Sequence, residues 1–460
     1  MSNFGWSSIA RIGLIQACLG SIVVLTTSTL NRVMVVELAL PALLPGLLVA
    51  FHYAVQITRP RMGHGSDVGG RRTPWIVGGM AVLGTGGVLA ALAVGWMASD
   101  RASGIALAVF AFGLIGLGVS ASGTSLLVLL AKRVAPQRRA AAATTVWIMM
   151  IAGFVVTAGT TGKLLDPYSS AKLLQITLGV ALIAFCITLV AIYRLEGQGE
   201  NGTSISIPVA HATAPHGKPS FFEVLREVWG EAEARRFTIF IFTSMLAYSA
   251  QDLILEPFAG TVFGFTPGES TSLAGLQHGG VLAGMLIAAF AGTQFGGKQI
   301  GTLRGWTMWG CLASGVALMG LVVAGQVGPA WPFKANVFVL GVANGAFSIA
   351  AIGSMMRLAG EGREAREGVR MGLWGASQAV AFGLGGLIGA AGSDLARLWI
   401  ASPGTAYGSV FLAESLLFVV AAVLASRISQ STAHGLASGI SPQELSTRPE
   451  RAGELIQSRQ

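Results

Sequence analysis

Charged side chains are scarce in this sequence: Asp, Glu, Lys and Arg make up 11% of the 460 residues, whereas 53% of the residues are hydrophobic. The mean hydropathy is +0.66. Because about a quarter of the residues of an ordinary soluble domain are charged, this composition excludes a soluble globular protein. Apolar runs repeatedly reach the ~20 residues that a helix needs to span a bilayer. The chain is therefore predicted to be an all-α membrane protein.

Cysteine is also rare. Cys18, Cys186 and Cys311 each lie inside an apolar run, where a thiol behaves as a small core residue, so neither disulfides nor a cysteine metal site is expected. No nucleophile–base set and no metal-spaced cluster is present, so the sequence predicts no catalytic residues, no metal site and no enzymatic activity. Residues 1–8 lack the basic region and cleavage site of a signal peptide, and the first apolar run is expected to be retained.

The apolar runs predict twelve transmembrane helices in two sets of six. A polar segment separates the sets, and this predicts an N-terminal half at 1–194, a linker at 195–236, a C-terminal half at 237–428 and a polar tail at 429–460. Within the linker, Ser220 and Glu223 form a capping box, which predicts a short amphipathic helix that lies on the membrane surface or docks a partner. The predicted spans are 9–31, 41–60, 74–98, 104–131, 140–163, 172–194, 237–257, 270–292, 303–325, 333–357, 368–392 and 408–428.

The basic residues are distributed unequally between the two sides of the predicted membrane. With twelve spans, 24 of the 30 Lys and Arg residues fall on the side of the chain termini and six on the other. Basic residues concentrate in cytoplasmic loops, so both termini are predicted to be cytoplasmic. The formal net charge of +9 is explained by topology, and no nucleic-acid partner is predicted.

A short polar loop separates the second and third predicted spans. It resembles the G-x-x-x-D-R-x-G-R-R loop of the major facilitator superfamily, although Val68 replaces the basic residue that follows the aspartate. Asp67 can lie near the N-terminus of the next helix or pair with an arginine across the loop. The resemblance implies a loop that controls gating. The matching residues are Gly63, Asp67, Gly70, Arg71 and Arg72.

Four charged residues fall inside or at the ends of predicted spans, where isolated charges are costly. Arg32 follows the first span, and Glu37 is near enough in sequence to be its partner; this is either an ion pair that sets helix depth or part of a central cavity. Asp252 and Glu256 lie one helical turn apart on the predicted seventh span. They are either a hydrogen-bonded clamp or residues that handle substrate or protons.

Two histidines lie in the second and eighth predicted spans, which are equivalent helices of the two halves. His52 and His278 can each hydrogen-bond a neighbouring helix, which is the commoner role of a lone membrane histidine. Alternatively, a neutral imidazole can ligate a metal, including the magnesium of a chlorin. His278 stands among Gly275, Gly279 and Gly280, whose spacing is typical of a close helix contact.

Three stretches resemble the PucC/LhaA family of photosynthetic bacteria, a branch of the major facilitator superfamily, and in particular members encoded among bacteriochlorophyll-synthesis genes. The resemblance implies twelve helices and an assembly factor for light-harvesting complexes that binds or delivers bacteriochlorophyll to antenna polypeptides. The implied partners are those polypeptides, pigment-synthesis enzymes and membrane lipid. A proton-coupled secondary transporter of a small solute remains the alternative. The stretches are 30–41, 59–61 and 231–237.

Overall fold

The structure is a computed structural model, and it describes residues 4–59, 71–134, 138–196, 226, 229–292, 301–361 and 367–428. Of the segments predicted from the sequence, most of the linker, including the capping box at Ser220 and Glu223, lies outside these ranges. So does the tail at 429–460. The domain boundaries therefore stay predictions.

The described residues form twelve apolar helices, eleven of which are long enough to cross a membrane, while α2 is shorter. The prediction of an all-α fold with twelve spans is confirmed. The helices are α1 Trp6–Glu37, α2 Leu43–Thr58, α3 Thr73–Met97, α4 Arg101–Arg133, α5 Arg139–Leu165, α6 Ser170–Ile192, α7 Ala232–Phe263, α8 Pro267–Gly292, α9 Leu303–Val327, α10 Phe333–Glu361, α11 Glu367–Trp399 and α12 Pro403–Ser426. We call the face where α1 begins and α12 ends the terminal face, and the other the opposite face.

Several helix ends lie five or more residues beyond the predicted spans, among them the end of α11 at Trp399 and the start of α12 at Pro403, and two of them bear on the candidate site. The first span was expected to end at residue 31, but α1 continues to Glu37 through two π-helical segments, Leu25–Thr29 and Val33–Glu37, so that Arg32 lies inside the helix. The seventh span was expected to end at Pro257, but α7 continues to Phe263. Proline removes one backbone donor without forbidding a helix when the freed carbonyl finds another partner.

Each half has its own hydrophobic core. One cluster is built from α7–α12 and centres on Phe258, Phe347 and Phe411, and another is built mainly from α1–α6, around Met34 and Phe112. Because each set of six helices buries its own apolar side chains, the molecule consists of two six-helix halves. Cys18 and Cys311 are buried, as predicted for small core residues, whereas Cys186, which was also expected to be a core residue, is exposed.

The halves meet along two helix pairs, α5 with α8 and α2 with α11. Glycines allow these backbones to approach closely: a Cβ atom added at Gly275 would lie 2.9 Å from Gly159 N, and one added at Gly46 would lie 2.9 Å from Ala390 Cβ. Small residues at such crossings are the usual means by which membrane helices pack tightly. The two pairs border the space in which the candidate site lies.

Candidate functional site

The π-helical segments of α1 determine which of its polar side chains face the other half. Each π turn adds a residue without ending the helix and so rotates the residues after it about the helix axis; such turns are often found at functional sites. Ser28, Asn31 and Arg32 are buried, and each contacts the C-terminal half. The polar end of α1 thus adds buried polar contacts between the halves to the two helix pairs.

Arg32 is 2% exposed and donates hydrogen bonds from each of its three nitrogens. Nη1 lies 2.5 Å from Glu37 Oε1, which is the partner that the sequence predicted. Nε lies 3.0 Å from Ser270 Oγ, and Nη2 lies 2.6 Å from the carbonyl oxygen of Phe265. Gly260 of α7 makes room for this side chain, since a Cβ atom there would lie 2.9 Å from Arg32 Nη2. Arg32 therefore links the end of α1 to the α7–α8 connection.

Asn31 explains why α7 continues through Pro257. The proline ring has no N–H to donate to the carbonyl oxygen of Leu253, one turn earlier. Asn31 Nδ2 lies 2.6 Å from that oxygen and supplies the missing donor from the other half. The helix of one half is completed by a side chain of the other.

The two acids of α7 lie in different surroundings. Glu256 is buried and accepts a hydrogen bond from the Ser28 hydroxyl, while its second oxygen has no hydrogen-bond partner within the described ranges. It also interacts electrostatically with Arg32. Asp252 is only partly buried and interacts electrostatically with Tyr53 and with Glu414 of α12. Of the four predicted cavity charges, Arg32, Glu37 and Glu256 form one group, and Asp252 stands apart from them.

Glu414 of α12 is an acid to which the sequence analysis assigned no role. It is 2% exposed, and neither of its carboxyl oxygens has a hydrogen-bond partner among the residues that the structure describes. A buried carboxyl group without a partner is strongly disfavoured in its charged form. A glutamate within an apolar span is the feature of the sequence that could have indicated Glu414. The proximity of Glu414 to Asp252 depends on how α12 packs on α7, which the sequence does not show.

Aromatic rings line the space between the halves beside Asp252. The Tyr53 ring of α2 lies 5.9 Å from the Phe382 ring of α11, and the Tyr248 ring of α7 lies 5.8 Å from Phe382. Tyr248 also contacts Phe347 of α10, at 6.3 Å. These rings and the carboxyl group of Asp252 form a surface that suits an apolar or aromatic ligand with one polar group.

Near the opposite face, two carboxylates add to the links between the halves. Asp394 of α11 accepts hydrogen bonds from the backbone N–H groups of Ala42 and Leu43, at 3.1 and 2.7 Å. Asp166, after α5, accepts one from the Thr266 hydroxyl at 2.6 Å and one from the N–H of Gly268 at 3.1 Å. Together with Arg32, these contacts close the opposite face. The sequence did not single out either aspartate.

His52 is buried, and its Nε2 is engaged in a hydrogen bond. Gln56 Oε1 accepts from the Arg59 guanidinium, which can only donate. The amide nitrogen of Gln56 is therefore directed at His52 Nε2, 3.0 Å away, and this ring nitrogen accepts the bond. The lone pair that would bind a metal is used within the helix, so His52 does not fit an axial ligand.

His278 has the opposite arrangement. Its Nδ1 lies 2.8 Å from the carbonyl oxygen of Ala274, so Nδ1 carries the proton, and Nε2 makes no hydrogen bond within the described part of the chain. Metal-binding histidines typically donate their other N–H to a carbonyl in this way. The ring also lies edge-on to Phe154 of α5, at 4.9 Å, and a Cβ atom added at Gly279 would meet no atom within 4 Å. The two histidines lie in different helix contacts.

Of the loop motif, Arg71 and Arg72 are described, whereas Gly63, Asp67 and Gly70 lie outside the described residues. One prediction placed the carboxylate of Asp67 near the N-terminus of α3. The carboxylate that contacts this N-terminus in the structure is that of Glu196. The backbone N–H groups of Arg72 and Thr73 lie 2.8 and 3.0 Å from its carboxylate oxygens, and Arg72 Nη1 lies 3.8 Å away.

The environment of Glu196 favours its charged form. Burial by itself would raise the pKa of Glu196, but the hydrogen bonds from Arg72 and Thr73 and the charge of Arg72 outweigh it, so the pKa lies below its ordinary value. A carboxylate at a helix N-terminus is also stabilised by the helix dipole. Glu196 therefore ties the end of the N-terminal half to the start of α3.

These features define a class of protein: two six-helix halves around a central space, as in secondary transporters. The structure superposes on a D-xylose–proton symporter with a TM-score of 0.71 and 12% identity, over 92% of this chain and 98% of that one. It superposes on an inward-facing bacterial homologue of the human lysosomal transporter Spinster with a TM-score of 0.68 and 14% identity, over 93% and 98%. The fold is that of the major facilitator superfamily.

The chain belongs to the PUCC protein family, whose model matches residues 29–433. A relative from Rhodobacter capsulatus, named bacteriochlorophyll synthase 44.5 kDa chain, is 53% identical over 93% of this chain and 96% of its own length. The protein PucC of the same organism is 29% identical over 91% of each chain, and the protein PucC of Cereibacter sphaeroides is 28% identical over 90% and 91%. The predicted family is confirmed, and the chain is a multi-pass membrane protein.

Proposed function

We propose that this protein is an assembly factor for photosynthetic light-harvesting complexes that binds bacteriochlorophyll and delivers it to antenna polypeptides. The single observation that carries the proposal is family membership along nearly the whole chain, with a 53% identical relative named for bacteriochlorophyll synthesis. Because that relative is named as a chain of a synthase, pigment-synthesis enzymes are proposed partners together with the antenna polypeptides. The role of this chain is proposed to be non-catalytic.

The donor set supports His278, and not His52, as the pigment ligand. Bacteriochlorophyll, when bound, would supply a magnesium ion that an imidazole nitrogen can ligate, together with a long-wavelength absorption band. His278 offers a free Nε2 oriented by the Ala274 carbonyl, whereas Nε2 of His52 accepts from Gln56. The nearby Phe154 ring and the open space at Gly279 suit a flat, apolar macrocycle.

The test is purification in mild detergent from a pigment-producing host, followed by absorption spectroscopy. Wild-type protein is expected to carry bacteriochlorophyll, His278→Leu to lose most of it, and the matched His52→Leu variant to retain it. A colourless wild-type protein, or equal pigment loss in both variants, would contradict the assignment. In a strain lacking the gene, antenna levels are expected to fall; unchanged antenna levels would reject the assembly role itself.

The alternative is a proton-coupled secondary transporter, and the partly exposed Asp252 among Tyr53, Tyr248 and Phe382 favours it. Acids that face a central cavity are a feature of proton-coupled transport. Purified protein in liposomes with an imposed pH gradient would take up solute, and Asp252→Asn would abolish uptake. A pigment-free protein with such uptake would favour this function over the first.

The proposed location is the bacterial inner or intracytoplasmic membrane, with both termini in the cytoplasm. The distribution of Lys and Arg residues in the sequence supports this orientation. Fusion of a reporter that is active only in the periplasm to either terminus should give no signal, whereas the same reporter inserted after Ser99, between α3 and α4, should be active.

A further inference from the structure

An apolar groove of about 440 Å³ runs along the outer surface of the N-terminal half between α3 and α4. Its walls include Pro74, Trp75, Gly78 and Val82 of α3, and Leu117 and Ala121 of α4. The volume is within the range of small-molecule sites, about 300–1,000 Å³. The groove is separate from the central space described above, and the proposed pigment ligand does not line it.

Two glycines with different roles produce this groove. Gly79 lies at the contact of the two helices, because a Cβ atom there would lie 2.6 Å from the backbone nitrogen of Ser122, and so it brings α3 and α4 together. Gly78 is exposed, and a Cβ atom there would meet no atom within 4 Å. The close approach forms the floor of the groove, and the missing side chain at Gly78 keeps it open.

Two side chains with polar donors lie at the terminal-face end of α3, where the groove-lining residues Pro74 and Trp75 are found. The indole N–H of the partly buried Trp75 donates no hydrogen bond within the described residues, although indole N–H groups usually find a partner when they are buried. Arg71, four positions before Trp75, is exposed and has no hydrogen bond or ion pair in the described part of the chain. Arg71 comes three positions before Pro74, which lines the groove together with Trp75, so a cationic residue and a neutral donor are found at the same end of α3.

This combination determines the chemistry of the occupant. The lining residues provide no imidazole or carboxylate side chain, so a chlorin would find no side-chain ligand for its magnesium. An acyl chain needs only apolar walls, and a phosphate group complements an arginine and an indole N–H at the bilayer interface. Basic residues at the cytoplasmic ends of helices are known sites for anionic lipid headgroups, and the terminal face is predicted to be cytoplasmic.

We propose that the groove between α3 and α4 binds one anionic phospholipid, with an acyl chain along Gly78 and the phosphate at Arg71 and Trp75. The protein contacts the lipid at two separate places, the acyl chain and the phosphate, so a substitution can remove either contact without the other. Filling the groove removes the lipid altogether, whereas neutralising the arginine removes the preference for an anionic headgroup and leaves the chain in place.

Native mass spectrometry of the full chain tests this, with phosphatidylglycerol and phosphatidylcholine added in equal amounts as probes. Wild-type protein should retain one phospholipid more than Gly78→Leu and should prefer phosphatidylglycerol. Arg71→Gln should lower that preference about fivefold, since one basic residue near an anionic surface contributes about 1 kcal/mol. The matched controls are Gly179→Leu, because Gly179 of α6 also has no atom near its Cβ position, and Arg427→Gln, because Arg427 is exposed at the end of α12.

Equal lipid retention by wild-type and Gly78→Leu proteins would overturn the proposal. So would equal retention of the two lipids by the wild-type protein, or a pigment in place of the lipid in the groove. A Gly78→Leu variant that fails to fold is recognised by its elution as an aggregate. In that case the Arg71→Gln variant tests the proposal by itself, and an unchanged preference for phosphatidylglycerol would contradict it. Because His278 is not involved, the result is independent of the pigment experiment.

Discussion

The completion of α7 by Asn31 leads to a prediction that can be tested in a double-mutant cycle. In the wild-type protein, the carbonyl oxygen of Leu253 has lost its helical donor to Pro257 and receives the amide of Asn31 instead, at 2.6 Å. Replacing Asn31 with Leu keeps the size of the side chain and removes the donor. A buried carbonyl left unpaired costs about 1–3 kcal/mol, so N31L should lower the free energy of unfolding by about 2 kcal/mol.

The second arm of the cycle restores the donor from within the helix. In P257A the backbone N–H at position 257 can bond to Leu253, which makes Asn31 unnecessary. In that background N31L should cost less than about 0.5 kcal/mol, or should stabilise the protein, because Oδ1 of Asn31 is itself buried without a partner. The coupling energy is therefore expected to be about 1.5–2 kcal/mol, within the range of contacting pairs.

Unfolding by a denaturing detergent, followed by circular dichroism, would measure all four proteins under identical conditions. A matched position serves as the control: Asn344→Leu, at a buried amide of α10 that accepts from Ser314, should cost the same with and without P257A. Equal costs of N31L in the two backgrounds would refute the reasoning, since the side chain would then act independently of the proline.

Three further predictions concern other contacts. Arg32→Met should destabilise the closed opposite face by about 2–4 kcal/mol, which is less than the full 3–5 kcal/mol of a broken buried pair because Glu37 is 33% exposed. Distances between spin labels at Ser99 and Ala330 should then lengthen. The exposed control Arg101→Met should leave these distances unchanged. Glu196→Gln should cost about 1 kcal/mol at pH 7. The pKa of Glu196 in the folded protein lies below its ordinary value. Its contribution to stability is therefore present above the unfolded pKa of about 4.3 and is lost as the pH falls through the folded pKa. The thermal unfolding temperatures of wild type and variant should converge in acid, and a constant difference between them at all pH values would contradict the prediction. Gly280→Ala should destabilise the α8–α10 contact by about 1–3 kcal/mol, because the added Cβ atom would lie 3.0 Å from Val342 N. The control Gly279→Ala, at the neighbouring position, should not change stability. A similar loss of stability in both variants would show that the backbone contact is not the cause.

The resemblance of particular residues to a known family predicted more of the function than did any contact in the fold. The stretch at 30–41 indicated the PucC/LhaA family, and the family model confirms it. The family resemblance could not show which of the two histidines is the better candidate for a pigment ligand. That distinction depends on which ring nitrogen is engaged, and so on Gln56 and Arg59 for His52 and on Ala274 for His278.

Hydropathy and charge along the chain determined the number of helices, their order and the membrane class. These properties are local: ~20 apolar residues can span the bilayer as a helix whatever their neighbours are, because a helix satisfies its backbone hydrogen bonds within the segment itself. The ends of α1 and α7 were wrong for the same reason, since a rule based on single residues stops a helix at Arg32 or Pro257. Neither residue ends its helix: Arg32 has partners in the other half, and the Leu253 carbonyl oxygen that Pro257 leaves without a helical donor accepts from Asn31 of the other half.

Only the tertiary structure decided which polar groups meet. Asn31 and Leu253, Arg32 and Ser270, and Arg72 and Glu196 are each separated by more than 120 positions in the sequence. Their contacts depend on the rotation of each helix about its axis, which the two π-helical segments of α1 alter, and on the packing of one half against the other. Periodicity specifies the apolar face of a helix, but it does not specify the residue that a buried polar side chain will reach.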